Sequence, residues 1–586
     1  MFGRIGLVTL TTYLGLAVLG CDRSSTKQPP RPSVPADSTP PNVASPLPDR
    51  SRERATEVAP VGFRFAEVAE ARGVAFSYHN GASGAMHLWE TMGGGVAVLD
   101  FDGDGWMDLY FTNGCDDPHG PPDGRRRGRL FRNLGGGEFA DATEAAMIDD
   151  RGYGQGCAVG DCDNDGFDDL FVSRYGSASL YKNLGDGTLK DITSLAAIRC
   201  PLWNTACAFG DLAGSGALDL FVTGYVEIDL AAEPICRDRR GKLAYCGPDN
   251  YEGQPFQLWQ NAGDGQFRDV SDAAGVVMPK CKGLAAAVLD LDDDGRLDVF
   301  VVNDAEPARL LRNLGDGRFE DAALSAGLAY TGDGHVYNGM GIAHGDYDCD
   351  GRIDLAVSNF FEKGVVLFQN RGGGSFRDKS LRTGLGPATR PRTSFALVFA
   401  DVDNDGWPDL FVANGHISDL RADGIPYGMR AQLFHNRQGE GFRDVSDQAG
   451  EYFRAERLGR GAAAGDLDND GGVDVVVSHN VGPIAVLRNE TPDRGHFLSV
   501  ALVGTRSSRV PYGARVIATV GDRVYVQCLG GGGSYFSAND QRILLGLGAM
   551  TKVDRIEVRW PSGQRNQWTD VPADRAIRLT EGRDSS

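Results

Sequence analysis

From about residue 62 onward, apolar residues occur in short runs that Gly- and Asp-rich stretches interrupt. No segment sustains the ~3.6-residue apolar period of a long amphipathic helix, so the pattern predicts short β-strands joined by turns. One order of elements recurs. An apolar run such as Val96–Leu99 leads into an acidic loop, and a second run, here 109–112, follows it. Next comes a hairpin spelled almost the same way each time: LFRNLGGGEFAD from Leu130, LWQNAGDGQFRD from Leu258 and LLRNLGDGRFED from Leu310. Apolar alternation about a Gly-rich turn is what a two-stranded antiparallel hairpin requires. Each unit therefore holds four predicted strands.

The acidic loop sets the number of units. It reads DFDGDGWMDL from Asp100, and related strings begin at Asp161, Asp290, Asp346, Asp401 and Asp466. A seventh, DLAGSGALDL from Asp211, keeps the frame but lacks two acidic positions; the copies lie 50 to 79 residues apart. The last unit stops at Asn489 without the outer F-x-D strand of the others. That piece stands at the other end of the array, where Phe65, Glu67, Val68, Gly73 and Val74 match Phe267, Asp269, Val270, Gly275 and Val276 in register. The N-terminal strand is thus expected to complete the last unit and close a ring, which hides sheet edges. The predicted fold is all-β: a seven-bladed β-propeller over 62–491, then a small β-sandwich over 492–582 built on alternating runs at 498–503, 516–520, 524–526 and 556–560. A glycine run at 530–533 is followed by neither a helix start nor Lys-Ser/Thr, so it reads as a plain flexible loop.

The spacing D-x-D-x-D-G-x-x-D places side-chain oxygens at loop positions 1, 3, 5 and 9 and a main-chain carbonyl at position 7. Ca2+ takes six to eight oxygens in flexible geometry, and glycine at position 6 permits the turn that gathers them. The candidate ligands are Asp100, Asp102, Asp104 and Asp108 with Trp106; Asp161, Asp163, Asp165 and Asp169 with Phe167; and Asp290, Asp292, Asp294 and Asp298 with Arg296. The other three loops supply Asp346, Asp348, Asp350 and Asp354 with Arg352; Asp401, Asp403, Asp405 and Asp409 with Trp407; and Asp466, Asp468, Asp470 and Asp474 with Gly472. An EF-hand would carry Glu at position 12 between helices; here that position is Phe111, Val172, Val301, Val357, Val412 or Val477, inside a β-run. Carboxylates so close repel one another until a cation joins them. About six Ca2+ per chain are expected, and none at the Asp211 loop, where Ala213 and Ser215 replace two ligands.

Composition refines the picture at the N-terminus and in the partners it excludes. Arg4, the apolar run 5–19 and the ending Val18-Leu19-Gly20-Cys21 resemble a bacterial lipoprotein signal over 1–21, with Cys21 the lipidated residue. Residues 22–61 are rich in Pro and Ser and read as a disordered tether. The expected location is outside the cytoplasm, lipid-anchored to a bacterial membrane and facing periplasm or exterior. A net charge of −21 without a basic stripe argues against nucleic acid. Export permits disulfides, and Cys236 with Cys246 bracket a loop inserted in the third unit, the favoured pair. Cys200 with Cys207 and Cys157 with Cys162 are weaker alternatives; Cys115, Cys281, Cys349 and Cys528 read as buried thiols.

The units resemble FG-GAP/VCBS repeats, and the arrangement is similar to the cartilage acidic protein family with its C-terminal ASPIC/UnbV domain. The motifs behind this are Glu90-Thr91-Met92-Gly93-Gly94-Gly95, the Asn-x-Gly-x-Gly-x-Phe hairpins, Gly513-Ala514-Arg515-Val516, Gly546-Leu547-Gly548 and Trp560-Pro561-Ser562-Gly563. The resemblance implies extracellular binding or adhesion. No G-x-S-x-G elbow, P-loop or H-E-x-x-H is present, which favours a binding scaffold for protein or polysaccharide over an enzyme. A polysaccharide-active enzyme and a structural subunit of an envelope complex are the alternatives. His416, with Asn303, Asp304 and Asn359, is the one candidate for a loop-lined pocket, and a turn role suits these residues better.

Overall fold

The computed structural model describes residues 62–120, 126–263 and 265–583; the export segment 1–21 with Cys21 and the tether 22–61 lie outside the described residues. Seven antiparallel sheets of one plan follow each other along the chain, each built of four strands of the repeat segment. The first is Val96–Leu99, Asp108–Phe111, Arg129–Asn133 and Phe139–Asp141 in that order. In the last, Gly459–Gly465, Asp474–His479 and Ala485–Asn489 come from the C-terminal side of the array, and the outer strand is Phe65–Glu67. Phe65 stands opposite Asn489 and Glu67 opposite Leu487, the register read from the sequence.

Residue size follows position in the sheet. Innermost strands are rich in Gly and Ala, as in Gly154–Gly160 (GQGCAVG) and Gly459–Gly465 (GRGAAAG), and are wholly buried. Each touches the innermost strand of the next sheet, and Val96–Leu99 of the first touches Gly459–Gly465 of the last. Where strands converge, small side chains are what close-packing permits. Second strands such as Asp169–Arg174 (DLFVSR) and Asp298–Asn303 (DVFVVN) carry the larger residues that fill the space between sheets.

Residues 496–580 form a three-stranded sheet and a four-stranded sheet. His496–Val503 pairs antiparallel with Ile543–Gly548 and parallel with Arg575–Thr580. The apolar residues of these sheets, Leu498, Val516 and Ile556 among them, belong to one core with Leu218, Val288 and Leu297 of the repeats, so this domain is packed on the array.

The glycine run is not the free loop expected from sequence. Gly531 and Gly532 pair with Val288 and Ala287 of the fourth innermost strand. The segment then continues past the fifth, where Ser534 bridges Ile342, and the seventh, where Ser534 Oγ donates to the Ala462 carbonyl at 2.6 Å. Cys157 N–H of the second donates to Phe536 O at 3.1 Å, and Ala538 runs beside Val96 and Val98 of the first. Strand-like pairing satisfies the polar backbone of a segment buried among five innermost strands. Glycine is required by the closeness: a Cβ on Gly531 would stand 2.0 Å from the Phe209 carbonyl oxygen.

Candidate metal centres

All six intact loops fold alike, and the degenerate third loop adopts the same frame. The position-1 carboxylate accepts the N–H of the position-6 glycine, from Gly105 onto Asp100 at 3.0 Å and from Gly216 onto Asp211 at 2.8 Å. Position 4 turns through the left-handed region: Asn164, Asp293, Cys349, Asn404 and Asn469 have φ between 50° and 64°. The position-7 N–H donates to the position-5 side chain, from Trp106 to Asp104 at 3.0 Å and from Trp407 to Asp405 at 2.9 Å.

Position 9 does something the spacing did not reveal. Asp108 accepts the Phe101 N–H through Oδ2 (3.0 Å) and the Asn133 N–H through Oδ1 (2.7 Å), tying the loop to the hairpin. Asp219 of the degenerate unit does the same with Ala213 (2.8 Å) and Asn261 (2.9 Å). Positions 1 and 9 are therefore scaffold as well as candidate ligands, while positions 3 and 5 are the ones lost where the cluster is lost. Asp219→Ala should destabilise the chain by about 1–3 kcal/mol for each buried N–H left without an acceptor. Conversely, Ala213→Asp with Ser215→Asp should add one Ca2+ per chain without altering the fold. Equilibrium denaturation checks the first and metal analysis the second.

The hairpin asparagine links neighbouring units. Asn183 Nδ2 donates to Phe101 O of the preceding loop (2.7 Å), Asn261 to Cys162 O (2.6 Å), Asn313 to Leu212 O (2.9 Å) and Asn370 to Leu291 O (3.3 Å). Asn436 reaches Tyr347 O (2.8 Å) and Asn489 reaches Val402 O (2.9 Å). The first unit completes the cycle: Asn133 donates to Leu467 O of the last loop at 2.8 Å.

Carboxylate oxygens from positions 1, 3 and 9 lie within 4.8 Å of one another in the loops of Asp100, Asp161, Asp346 and Asp401, and those of Asp290, Asp292 and Asp294 do so in the fourth unit. Their surroundings suit a cation. Asp100, Asp163, Asp348 and Asp468 each keep a buried Oδ1 with no hydrogen-bond partner. Burial pushes Asp108 up to about 8, Asp298 to about 7 and Asp354 to about 9. The oxygen-only donor set and stranded acceptors fit Ca2+. In three units an Arg or Lys just before the hairpin asparagine also reaches in: Arg132 meets Asp102 and Asp104, Lys182 meets Asp163 and Asp165, and Arg488 meets Asp468 at 2.7 Å.

At the opposite end of the sheets, the loops between second and third strands meet. Cys236 and Cys246 form a disulfide with Cα atoms 5.2 Å apart. The loop they staple reaches the first unit through Tyr245 O–H to Glu90 (3.0 Å) and Glu233 to His87 (2.8 Å), and the sixth through Arg240 to Asp423 (2.9 Å). The alternative pairs do not form: Cys157, Cys162, Cys200 and Cys207 are buried thiols on or beside packed strands. Cys115 and Cys281 are buried, whereas Cys349 and Cys528 are half-buried. His416 holds a turn, its Nδ1 3.0 Å from Ser418 N, and Asp304 accepts the Tyr225 hydroxyl at 2.8 Å. Arg460, unnoticed in the sequence, is fully buried; its Nε donates to Thr91 O at 2.8 Å and its guanidinium lies 3.8 Å over the Phe395 ring.

Residues 100–172, 161–222, 290–357 and 346–412 match the FG-GAP-like repeat, and residues 504–586 match the ASPIC and UnbV family. Human cartilage acidic protein 1 is 26% identical over 345 residues, which is 56% of this chain and 50% of that protein. The Xenopus tropicalis protein of the same name is 25% identical over 286 residues, 48% of this chain and 42% of that one. The chain thus spans about half the length of the curated relatives it matches. An Agrocybe aegerita lectin described as recognising non-reducing terminal N-acetylglucosamine aligns with TM-score 0.37 and 16% identity over 67% of this chain and 87% of its own. An exotype rhamnogalacturonan lyase aligns with TM-score 0.29 and 12% identity over 83% and 90%. Repeats and C-terminal domain together make this chain an FG-GAP-repeat protein with a C-terminal ASPIC/UnbV domain, related to cartilage acidic protein 1.

Proposed function

We propose that the chain is an exported, membrane-tethered, calcium-binding seven-bladed β-propeller that serves as a binding scaffold for protein or polysaccharide. The buried carboxylate oxygens left without partners at Asp100, Asp163, Asp348 and Asp468 carry the calcium reading. Asp side chains at positions 1, 3, 5 and 9 would hold the ions with the position-7 carbonyl, and the ions would cancel charge that otherwise opposes folding. The asparagine cycle, which passes from the last loop to the first through Asn133, supports closure into a ring.

A calcium-rigidified ring leaves its other end for ligands. The antiparallel order puts the acidic loops at one end of every sheet and the loops between second and third strands at the other. Those loops bring half-buried Tyr175, Tyr245, Tyr251, Phe360 and Tyr427 to one rim. Aromatic faces beside hydrogen-bonding groups such as Glu233 suit peptides or sugars. The test is metal analysis after exhaustive dialysis, followed by glycan-array and envelope-protein binding. About six Ca2+ per chain and a ligand whose binding falls at least tenfold in Tyr175→Ala or Tyr251→Ala are expected. A calcium-free chain overturns the metal reading, and a calcium-loaded chain that binds neither ligand class overturns the scaffold reading.

A further inference from the structure

Acidic loops face the C-terminal domain, and in four of the six intact loops the position-4 residue, which lies between the ligand positions, touches it. At position 4, Asn164 Oδ1 accepts the Arg509 N–H at 2.7 Å. Asp293 pairs with Arg515, whose other nitrogen donates to Gly351 O of the next loop at 2.7 Å. Asn404 O accepts the Gly548 N–H at 2.7 Å, and Asp403 O beside it accepts the Gly495 N–H at 2.8 Å. Asn469 Oδ1 accepts from Arg542 at 2.6 Å, while the same guanidinium donates to Asp466 O at 2.7 Å.

These contacts are made by the turning part of each loop, between the ligand positions. Its left-handed residue and its outward carbonyls are held in place by the same carboxylates that would bind the ion: Asp401 accepts the N–H of Asp405 (3.0 Å) and Gly406 (2.8 Å), and Asp466 those of Asp470 (3.1 Å) and Gly471 (2.9 Å). Position 4 also joins loop to loop, since Asn404 Nδ2 donates to Gly471 O (3.0 Å) and Asn164 Nδ2 to Gly216 O (3.0 Å). Loops emptied of cations would hold mutually repelling carboxylates, and the turns that form the docking surface would spread.

We propose that calcium occupancy of the acidic loops controls docking of the C-terminal domain, so that ion loss withdraws segment 529–542 from between the innermost strands. The inference rests on the calcium reading above. Docking and insertion are coupled because Arg542, which grips the last loop, ends the inserted segment, and Asp540 just before it donates its N–H to Ala464 O at 2.9 Å. Ion loss therefore acts on the base of the segment directly. The device would make access to the ring axis from this end respond to external calcium, by release of a domain that belongs to the same chain.

Hydrogen exchange on the full chain tests this, with metal content measured in the same samples. The reporters are the amides of Gly533, Ser534, Ala538 and Asp540, which bond the innermost strands; Val299 and Val475 in second strands are the controls. Chelation should speed exchange of the reporters at least tenfold while the controls remain protected. A second arm uses Asn164→Gly with Asn469→Gly, which removes two position-4 side chains that accept hydrogen bonds from the C-terminal domain. Glycine stands at the same position as Gly103 and Gly214 with φ of 75° and 69°, so the turn accepts it, and no ligand carboxylate is removed. This variant should keep its full calcium and still show faster reporter exchange. Reporters unmoved by chelation, or lost together with the controls, overturn the proposal while leaving the calcium reading intact. Unmoved reporters in the double variant overturn the role of position 4. A chain without calcium overturns both readings.

Discussion

Stripped of divalent ions, the chain is expected to lose stability as pH rises from about 5 to about 8.5, the reverse of an ordinary acidic protein. The cause lies in the buried carboxylates. Burial raises Asp108 to about 8, Asp354 to about 9, and Asp298, Asp346 and Asp466 to about 7. In the unfolded chain an aspartate titrates near ~3.9. The metal-free folded state therefore binds protons more tightly than the unfolded one. That stabilisation is complete below the unfolded value, declines progressively above it, and is gone once pH has passed the folded values of about 7 to about 9. Calcium held in these loops would invert the dependence, because it would take the place of those protons and bind better as they leave. At a hundredfold excess over its dissociation constant, each independent site contributes about 2.7 kcal/mol, so six sites reach on the order of 15 kcal/mol. Calorimetry across that pH range with and without chelator reads both limbs. A metal-free melting curve that stays flat or rises with pH would contradict the account, as would identical curves in calcium and chelator.

The second large effect is expected from the closing strand. Deleting residues 62–76 removes Phe65–Glu67 from the last sheet along with buried Phe63, Phe65, Ala69 and Val74. Ala485–Asn489 then becomes an open edge, a template for pairing between chains. Loss of the cooperative transition and growth of light-scattering aggregates should follow. Phe65→Ala is the milder control. It keeps the strand and should cost about 3–5 kcal/mol, as removal of a buried phenyl ring does. Denaturant midpoints and sedimentation read the two. A deleted chain that stays monomeric with an unchanged midpoint would mean that the N-terminal strand does not hold the last unit, and the ring reading would fall with it.

The sequence by itself determined the order of elements within each repeat. Four strands per unit, the acidic turn and the hairpin are short-range features, set by alternation, glycine and spacing within about ten residues, and the same signal is written several times over. Even the long-range pairing of Phe65 with Asn489 was legible, because the missing strand of the last unit left a gap that only one other segment could match in register. The two roles of position 9 were not legible, since Asp108 and Asp219 look like ligands in a string and like hydrogen-bond acceptors only when Asn133 and Asn261 are brought beside them. The degenerate unit held a clue: it kept Asp211 and Asp219 while losing both positions between them.

Tertiary structure alone decided what lies between units and between domains. The asparagine cycle, buried Arg460, and the docking residues Asn164, Asp293, Asn404 and Asn469 each meet partners dozens to hundreds of residues away, where no local period points. The glycines at 530–533 show the reason most plainly. In sequence they signal freedom of the backbone; in the folded chain the same absence of side chains lets that backbone lie against the Phe209 and Ala286 carbonyls, where a Cβ would not fit.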